Sequence, residues 1–201
     1  MQNGLFSSQE LEVIQLARSL KVLVIGDSCV DRFVYGHCNR LSPEAPVPVL
    51  QHAVTREMPG MAANVAKNVE AFCDDVELIA QKEVIEKVRF VDVKSNQHLI
   101  RLDSEPCSYD DVFDPDMVVA GYYDLIIISD YDKGFLKSGP LMEFTSSYDN
   151  VYVDSKKEDL SCFKNCFIKL NQKEFESAGA TVHPSCNVVE TCGSNGARYL
   201  E

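Results

Sequence analysis

KVLVIGDSCVD, residues 21–31, is the stretch that decides the fold. Residues 22–25 are four consecutive apolar residues, and Gly26 follows them directly. A short β-branched run that ends in glycine predicts a buried strand that opens on a turn. Ligands of open α/β sheets bind outside the carboxyl ends of the strands. We therefore predict that Asp27 and Asp31, which follow this strand, contact a ligand.

Further predicted strands alternate with helical segments along the chain. The clearest strand is DLIIISD, residues 124–130, and it also ends in an acid. Other strands are predicted at 76–80, 151–154, 167–171, 187–191 and 197–200, and helices at 61–72, 136–148 and 173–178. This alternation predicts one α/β domain over residues 1–201, with a doubly wound and mostly parallel sheet.

A second group of strands does not fit this alternation. Pro43, Pro46 and Pro48 forbid a helix and a central strand, which leaves an edge strand over 47–54. Residues 33–36, 88–93 and 98–102 alternate as short strands, with a hairpin turn at 94–97 and a helical connector at 81–86 before it. We predict a small β-ribbon, separate from the main sheet.

Composition and charge exclude several classes of protein. The chain has 201 residues, of which 45% are hydrophobic, and its net charge is −12. This charge would repel nucleic acid and anionic lipid, so a small-molecule partner is predicted. Neither a spanning segment nor a signal peptide is visible, which predicts a cytoplasmic protein. The eight cysteines contain no Cys-x-x-Cys motif, which favours reduced thiols over zinc or disulfides.

An acid or amide stands at the end of four predicted strands, at Asp27, Asp130, Asp154 and Asn171. Each one alone is typical of a turn or a helix cap. Together they would line one edge of the sheet, where carboxylates can hold sugar hydroxyls and Asn171 with Glu174 could order a magnesium-bound phosphate through water. The P-loop, the Gly-x-Gly-x-x-Gly fingerprint and the Gly-x-Ser-x-Gly elbow are all missing from the sequence.

Several runs of sequence carry a family resemblance. They are IGDSCVDRFVYG (25–36), RLSPEAPVPVL (40–50), MPGMAANVAKNV (58–69), KVRFVDVKSNQHLIRLD (87–103), ISDYDKGFL (128–136), VDSKKEDLSCFKNCFIKLNQKEF (153–175) and VVETCGSNGARYL (188–200). Together they resemble the ribokinase (PfkB) family, and within it the heptose-7-phosphate kinase domain of the bifunctional heptose kinase/adenylyltransferases. The resemblance spans nearly the whole chain from Lys21.

The resemblance implies a reduced ribokinase-like sugar kinase with a β-lid that closes over the sugar. The lid would comprise about 33–54 and 87–103 and often mediates dimerisation. The implied sugar contacts are Asp27, Asp31, Gly60, Asn64 and the strand-end acid Asp130, with Lys87 and Arg101 near the sugar's phosphate. The implied nucleotide contacts are Asn171 and Glu174, which would bind magnesium and the phosphates of ATP. Thr191, Gly193 and Gly196 would lie beside the nucleotide. Lys156 is read either as a phosphate contact or as a solvated lysine.

The sequence also departs from the family pattern. Gly60 is followed by Met61 where a second glycine is expected, and the segments 80–87 and 178–187 are short. No Gly-Ala-Gly-Asp element occurs up to Glu201. That element supplies an anion site and the general base, and loss of a general base alone costs roughly 10²–10⁴ in rate. This chain alone is therefore expected to be a poor kinase.

Three interpretations remain open from the sequence. The first is an ATP-dependent sugar or sugar-phosphate kinase that uses ATP and Mg²⁺ and acts either through a reduced scaffold or with its missing half encoded separately. The second is a catalytically deficient sugar-phosphate-binding or regulatory remnant of such a kinase. The third is a decaying reading frame that binds nothing. The predicted ribbon also favours a homodimer through the lid, because an isolated two-stranded ribbon is marginal in water.

Overall fold

The structure is a computed structural model that describes residues 8–104 and 111–200. Its strands are β1 (Lys21–Gly26), β2 (Ser28–His37), β3 (Gln51–Met61), β4 (Asp75–Ile79), β5 (Ile85–Asp92), β6 (Gln97–Ser104), β7 (Leu125–Asp130), β8 (Val151–Ser155), β9 (Phe167–Asn171), β10 (Asn187–Thr191) and β11 (Ala197–Leu200). Its α-helices are α1 (Ser8–Ser19), α2 (Ala62–Val69), α3 (Ser138–Ser147) and α4 (Gln172–Ala178).

Seven of these strands form the main sheet, in the order β11-β10-β9-β8-β7-β1-β4. All neighbouring pairs are parallel except β10 with β11. Four residues of β1 are fully buried because this strand lies between β4 and β7 and is covered on both faces. The predicted doubly wound and mostly parallel sheet is confirmed.

Helices cover the two faces of the main sheet unequally. One face carries the larger core, in which residues of α3 and α4 pack with Leu23, Ile128 and Ile168. On the other face α2 packs against Val22 and Val24 of β1. This face continues over β7 to β11, where Tyr152 is 43% exposed and Tyr199 is 53% exposed.

The exposed part of that face is apolar. Ile127, Tyr152 and Phe167 are register partners on adjacent strands, so they form one row across the sheet. The rings of Tyr152 and Phe167 stack with their centroids 4.8 Å apart. A cleft of about 180 Å³ opens between this row and Val189 on β10.

The remaining four strands form a second sheet, which we call the lid, in the order β3-β2-β5-β6. Its existence as a separate unit agrees with the predicted ribbon, but its strands are longer than predicted. β2 begins at Ser28, directly after the first strand, and not at Phe33. β3 covers 51–61 instead of 47–54, because residues 41 and 48 make only an isolated bridge.

The predicted helical connector over 81–86 is wrong. Gln81 is 8% exposed, and its side chain exchanges hydrogen bonds with the backbone of Ser28, accepting at 2.9 Å and donating at 2.6 Å. These bonds hold the segment beside the start of β2, so that the chain passes directly from β4 into β5. A cleft of about 520 Å³ lies beside this passage, lined in part by Pro59, Leu78 and Val84.

No helix within the described ranges is long and apolar enough to cross a lipid bilayer.

Candidate functional site

Parallel strands bring the predicted strand-end residues to one edge of the main sheet. Asp130 and Asp154 lie at the carboxyl ends of β7 and β8, where Asp154 is the register partner of Ser129. Asn171 ends β9 opposite Thr191 of β10, and Asp27 follows β1. The predicted common edge is therefore confirmed, while the ligand contacts of these residues stay predictions.

Asp27 is fully buried and joins the ends of β1 and β7. Its Oδ2 accepts the backbone N–H of Tyr131 at 2.8 Å and that of Lys133 at 3.3 Å. Its Oδ1 is buried without a hydrogen-bond partner among the described residues. Burial raises the pKa of this carboxyl, against the effect of the two N–H donors. One oxygen thus orders the 131–133 loop, and the contact of Asp27 with a ligand stays a prediction.

Asp130 has internal partners for both carboxylate oxygens. Oδ1 accepts the N–H of Asp132 at 2.9 Å, and Oδ2 accepts the Ser155 hydroxyl at 2.7 Å. The ammonium of Lys157 lies 3.4 Å from Oδ2 and 2.8 Å from Asp132. Asp130 is 1% exposed, and both of its carboxylate oxygens are bonded within this network. These contacts do not support the predicted sugar contact of Asp130.

The inner face of the lid carries an ion pair between Asp31 on β2 and Arg89 on β5. The two side chains are 22% and 18% exposed, so they are shielded from bulk solvent. Lys87 lies on the same face, since residues two apart on a strand share a side. Its ammonium is 3.4 Å from the Met61 sulfur and 5.6 Å from the centre of the Tyr131 ring. Tyr131 therefore connects the lid to the strand ends.

Sequence reasoning missed Arg89. The signal was present, because KVR at 87–89 repeats a basic residue with the two-residue period of a strand. Arg101, which was predicted, lies directly opposite Arg89 on β6 and binds Asp103 on its own strand, with Nη2 to Oδ2 at 2.6 Å. The inner face thus combines the basic residues Lys87, Arg89 and Arg101 with the carboxylates of Asp31 and Asp103.

Gly60 and Asn64 flank this face. Gly60 pairs with Cys29 across β2 and β3, and a Cβ on Gly60 would overlap the carboxylate of Asp31. Only glycine therefore lets β3 pass so close to Asp31. Asn64 is exposed in the first turn of α2, whose first N–H, from Ala62, binds the Asp27 carbonyl at 2.9 Å.

Asn171 and Glu174 form a reciprocal cap at the start of α4. The side chain of Asn171 accepts the N–H of Glu174 at 3.0 Å, and Glu174 accepts the N–H of Asn171 at 2.8 Å. Glu174 also pairs with Lys156. Burial opposes ionisation of Glu174, yet the Asn171 N–H and the Lys156 ammonium together lower its pKa. The Asn-x-x-Glu sequence is thus a capping box as well as a candidate ligand site.

A cation pair lies beside this cap. Lys156 is 3.3 Å from Asp154, and Lys169 is 2.9 Å from the same carboxylate. Burial disfavours the charge on Lys156, but its carboxylate partners outweigh this and raise its pKa. Lys156 is therefore an exposed, ion-paired residue at the sheet edge, and its contact with a phosphate stays a prediction.

Thr191 and the two predicted glycines lie next to α4. Thr191 ends β10 in register with Asn171. Gly193 and Gly196 have φ values of 57° and 83°, which favour glycine, and they make the turn into β11. The Cys192 N–H closes this turn on the Gly196 carbonyl at 2.7 Å. The predicted nucleotide residues therefore share one corner of the sheet.

The candidate site therefore lies between the acidic strand ends of the main sheet and the basic inner face of the lid. No group of three or more His, Cys, Asp or Glu with metal-binding geometry occurs within residues 8–104 and 111–200. Both oxygens of Glu174 are engaged, Oε1 by Lys156 and Oε2 by Asn171, so it would reach a magnesium ion through water. The indirect magnesium contact of Asn171 and Glu174 stays a prediction.

Curated proteins with related sequences support the resemblance. The bifunctional protein HldE of Shewanella amazonensis is 31% identical over 207 residues, which cover 85% of this chain and 43% of HldE. HldE of Haemophilus influenzae strain PittEE is 31% identical over 217 residues, covering 91% and 44% respectively. The chain thus spans less than half the length of these relatives. No protein-family model matches it.

Solved structures show the fold. Phosphofructokinase-2 from Escherichia coli in complex with potassium superposes with a TM-score of 0.60 at 15% identity, over 91% of this chain and 75% of that one. Ribokinase from Arabidopsis thaliana, complexed with ribose and ATP, superposes with a TM-score of 0.54 at 12% identity, over 90% and 75%. The ribokinase-like α/β fold that the resemblance implied is confirmed.

Proposed function

Because the chain belongs to the ribokinase-like sugar kinases, we propose that it binds a sugar phosphate between its lid and its strand ends. The bound sugar would present a hydroxyl to the γ-phosphate of ATP. The observations that carry this proposal are the partly buried ion pair of Asp31 and Arg89 on the inner lid face and the buried carboxylate of Asp27 at the end of β1.

The charges of the lid support a phosphorylated sugar. Lys87, Arg89 and Arg101 lie on one face, and a phosphate dianion binds arginine with short, charge-assisted hydrogen bonds. An unphosphorylated sugar would use only the carboxylates. The sequence resemblance favours a heptose phosphate, and hexose phosphates are the nearest alternatives.

The sugar hydroxyls would bind at the floor of the site. Among the residues that the structure describes, Oδ1 of Asp27 is a buried acceptor without a hydrogen-bond partner, and leaving such a group unpaired costs about 1–3 kcal/mol. A sugar hydroxyl that donates to it would recover this energy. Asp31, Gly60 and Asn64 are the proposed neighbours of the same sugar, as the family resemblance implies.

ATP with Mg²⁺ is the proposed second substrate, and it would bind at the corner formed by β9, α4 and β10. A solved relative of this fold, the A. thaliana ribokinase, is complexed with ATP. Lys156 and Lys169 offer cations to phosphate oxygens there. Glu174 would order waters of the magnesium ion, which neutralises phosphate charge when bound.

We expect Glu174→Gln to weaken binding of ATP with magnesium about tenfold, equal to about 1.4 kcal/mol. Glutamine can replace glutamate in a capping box, so α4 keeps its cap while the charge is lost. Isothermal calorimetry with a non-hydrolysable ATP analogue measures the affinity, and a thermal melt checks the fold. Glu176→Gln, on the same helix, is the control that should retain the affinity. Equal affinity for the Glu174 variant and the parent would contradict the nucleotide assignment.

Residues 1–201 contain no Gly-Ala-Gly-Asp element, in which the resemblance would place the general base. We propose that a separately encoded polypeptide completes the catalytic site. The exposed apolar face over β7 to β11 supports this, because parallel sheets are usually covered on both faces.

A regulatory function is the second candidate, because the lid site needs no catalytic base to bind a sugar phosphate. Asp27, Asp31 and Arg89 would hold the ligand equally well in a protein that only senses it. A coupled assay with ATP and heptose or hexose phosphates separates the two functions. Turnover, with or without a candidate C-terminal partner, supports the kinase; binding without turnover supports the sensor. We place either protein in the cytoplasm.

We also propose a homodimer through the outer face of the lid, where Ile100 and Leu102 are 62% and 56% exposed. Leu102→Asp should convert this dimer to a monomer, because a charge would be buried without a partner. Multi-angle light scattering measures the mass. Leu16→Asp on α1, where the leucine is 66% exposed, is the control that should remain dimeric. A monomeric parent at high concentration would reject the dimer.

A further inference from the structure

Two cysteines lie in contact at the edge of the main sheet opposite the candidate site. Cys166 precedes β9 and Cys186 precedes β10, and the first residues of these strands, Phe167 and Asn187, are register partners. The two sulfur atoms are 3.5 Å apart, and the Asn187 N–H binds the Cys166 carbonyl at 2.9 Å. Adjacent strands lie about 4.8 Å apart, within the Cα spacing of about 4.4–6.8 Å that a disulfide needs.

We propose that Cys166 and Cys186 form an oxidisable dithiol, which a hydroperoxide converts into an intrachain disulfide. This inference concerns the cysteines alone and does not rest on the proposed kinase function. The seven cysteines within the described ranges are free thiols. Cys107 lies outside the described residues.

The surroundings of the two sulfurs assign them different roles. The hydrogen bond from the Cys166 thiol lowers the pKa of Cys186 to about 6, although burial opposes this. The Ser185 hydroxyl and the backbone N–H groups of Asn165 and Cys166 also lower the pKa of Cys186. The Phe163 carbonyl, which accepts from the Cys186 thiol at 3.2 Å, opposes this and favours the protonated form. Cys186 is therefore assigned as the thiolate that attacks the hydroperoxide.

Cys166 is suited to resolve the oxidised sulfur. Its donation to Cys186 and its burial both raise its pKa, so it stays protonated and in place. It is 1% exposed, whereas Cys186 is 9% exposed. The peroxide therefore meets Cys186 first, and Cys166 reacts only with its neighbour.

The reaction balances with hydrogen peroxide as oxidant. The Cys186 thiolate attacks one peroxide oxygen, the O–O bond breaks, and a sulfenic acid and hydroxide form. The Cys166 sulfur then attacks the sulfenic sulfur, the S–S bond forms, and the S–O bond breaks. The thiol proton neutralises the departing hydroxide. In total two thiols lose two electrons, and one peroxide becomes two waters.

Three buried cysteines elsewhere in the chain are poorer targets. Burial raises the pKa values of Cys29, Cys73 and Cys162. A zinc site is a poorer explanation of the pair, because no third ligand completes a metal-binding group within the described residues. Oxidation should therefore concentrate on the pair.

The disulfide would close the segment 167–185, which contains β9 and α4. Cross-linking a loop of this length restricts the unfolded chain. We expect the melting temperature to rise by roughly 5 °C in the oxidised form, and to return when the disulfide is reduced.

The test treats the full-length reduced protein with a small excess of hydrogen peroxide and then blocks free thiols with N-ethylmaleimide. Peptide mapping without reductant should find the 166–186 cross-link as the main disulfide. Trypsin releases residues 165–169, which contain Cys166 alone, and cleavage after Glu190 separates Cys186 from Cys192. This measurement uses the unmodified chain, so no variant has to fold.

Two variants then assign the roles. Cys166→Ser should leave a sulfenic acid on Cys186 that dimedone labels, and Cys186→Ser should abolish labelling at this site. Cys162→Ser, at a buried neighbouring thiol, is the control that should still form the cross-link. The proposal is overturned if the cross-link is absent when other cysteines are oxidised, or if all cysteines react at equal rates.

Discussion

Gly26→Ala is expected to lower the free energy of unfolding by about 3 kcal/mol, at the upper end of the range for overpacking. The reason is the close approach of β1 and β7, where a Cβ on Gly26 would overlap the carbonyl oxygen of Ser129. A backbone carbonyl in the centre of a sheet cannot rotate away, so the two strands would have to separate. Urea unfolding followed by circular dichroism measures the change.

Gly139→Ala is the matched control for this prediction. Gly139 lies in α3, and nothing stands within 4 Å of a Cβ built there. Alanine in a helix is worth up to about 1 kcal/mol relative to glycine, so this variant should be as stable as the parent or slightly more stable. If both variants unfolded at the parent's midpoint, the packing of β1 against β7 described above would be incorrect.

Arg89→Ala is expected to weaken sugar-phosphate binding roughly 30-fold, equal to about 2 kcal/mol. The variant removes a cation from the inner lid face and leaves Asp31 without its partner. Arg89→Lys should restore only part of the affinity, because an ammonium cannot bind a phosphate or carboxylate with two parallel hydrogen bonds. Calorimetry with heptose 7-phosphate and fructose 6-phosphate as probes measures the loss.

The control for Arg89 is Arg32→Ala, a second ion-paired arginine of the same lid. Arg32 lies on the outer face, 2.8 Å from Glu57 and 3.0 Å from Glu86. Its removal disturbs the lid to a similar extent but leaves the inner face intact, so the affinity should not change. An equal loss for both variants would mean that the lid acts only through its stability, and would contradict a phosphate contact by Arg89.

The main sheet could be predicted well because its strands are set by local pattern. Strands β9, β10 and β11 begin and end where the sequence predicts, since each is a short run bounded by polar or turn residues. The clustering of Asp27, Asp130 and Asn171 also followed from the sequence, because parallel strands share one carboxyl edge.

The lid and the use of the strand-end acids could not be predicted in detail. β2 starts immediately after Asp27 because Gln81, from a distant part of the chain, binds the backbone of Ser28. Asp130 has internal partners because Ser155 and Lys157 approach it from the next strand and loop. Such contacts depend on tertiary packing, which strand periodicity does not encode.

Arg89 shows the limit of a resemblance. The resemblance implied Lys87 and Arg101 as phosphate contacts. The ion pair of Arg89 with Asp31 depends on the parallel pairing of β2 with β5. The alternation of KVR places Arg89 on the same face of the strand as Lys87. The ion-pair partner of Arg89, Asp31, depends on the order of the strands in the lid, which the sequence did not predict.

The central claim is that the lid and the sheet edge form a sugar-phosphate site. Calorimetric titration of the full-length chain with heptose 7-phosphate tests it most directly, with the unphosphorylated heptose as the matched ligand. We predict saturable binding with a dissociation constant of about 1 mM or lower, corresponding to about −4 kcal/mol, and weaker binding of the unphosphorylated sugar. No heat of binding from either ligand at millimolar concentration would contradict the claim.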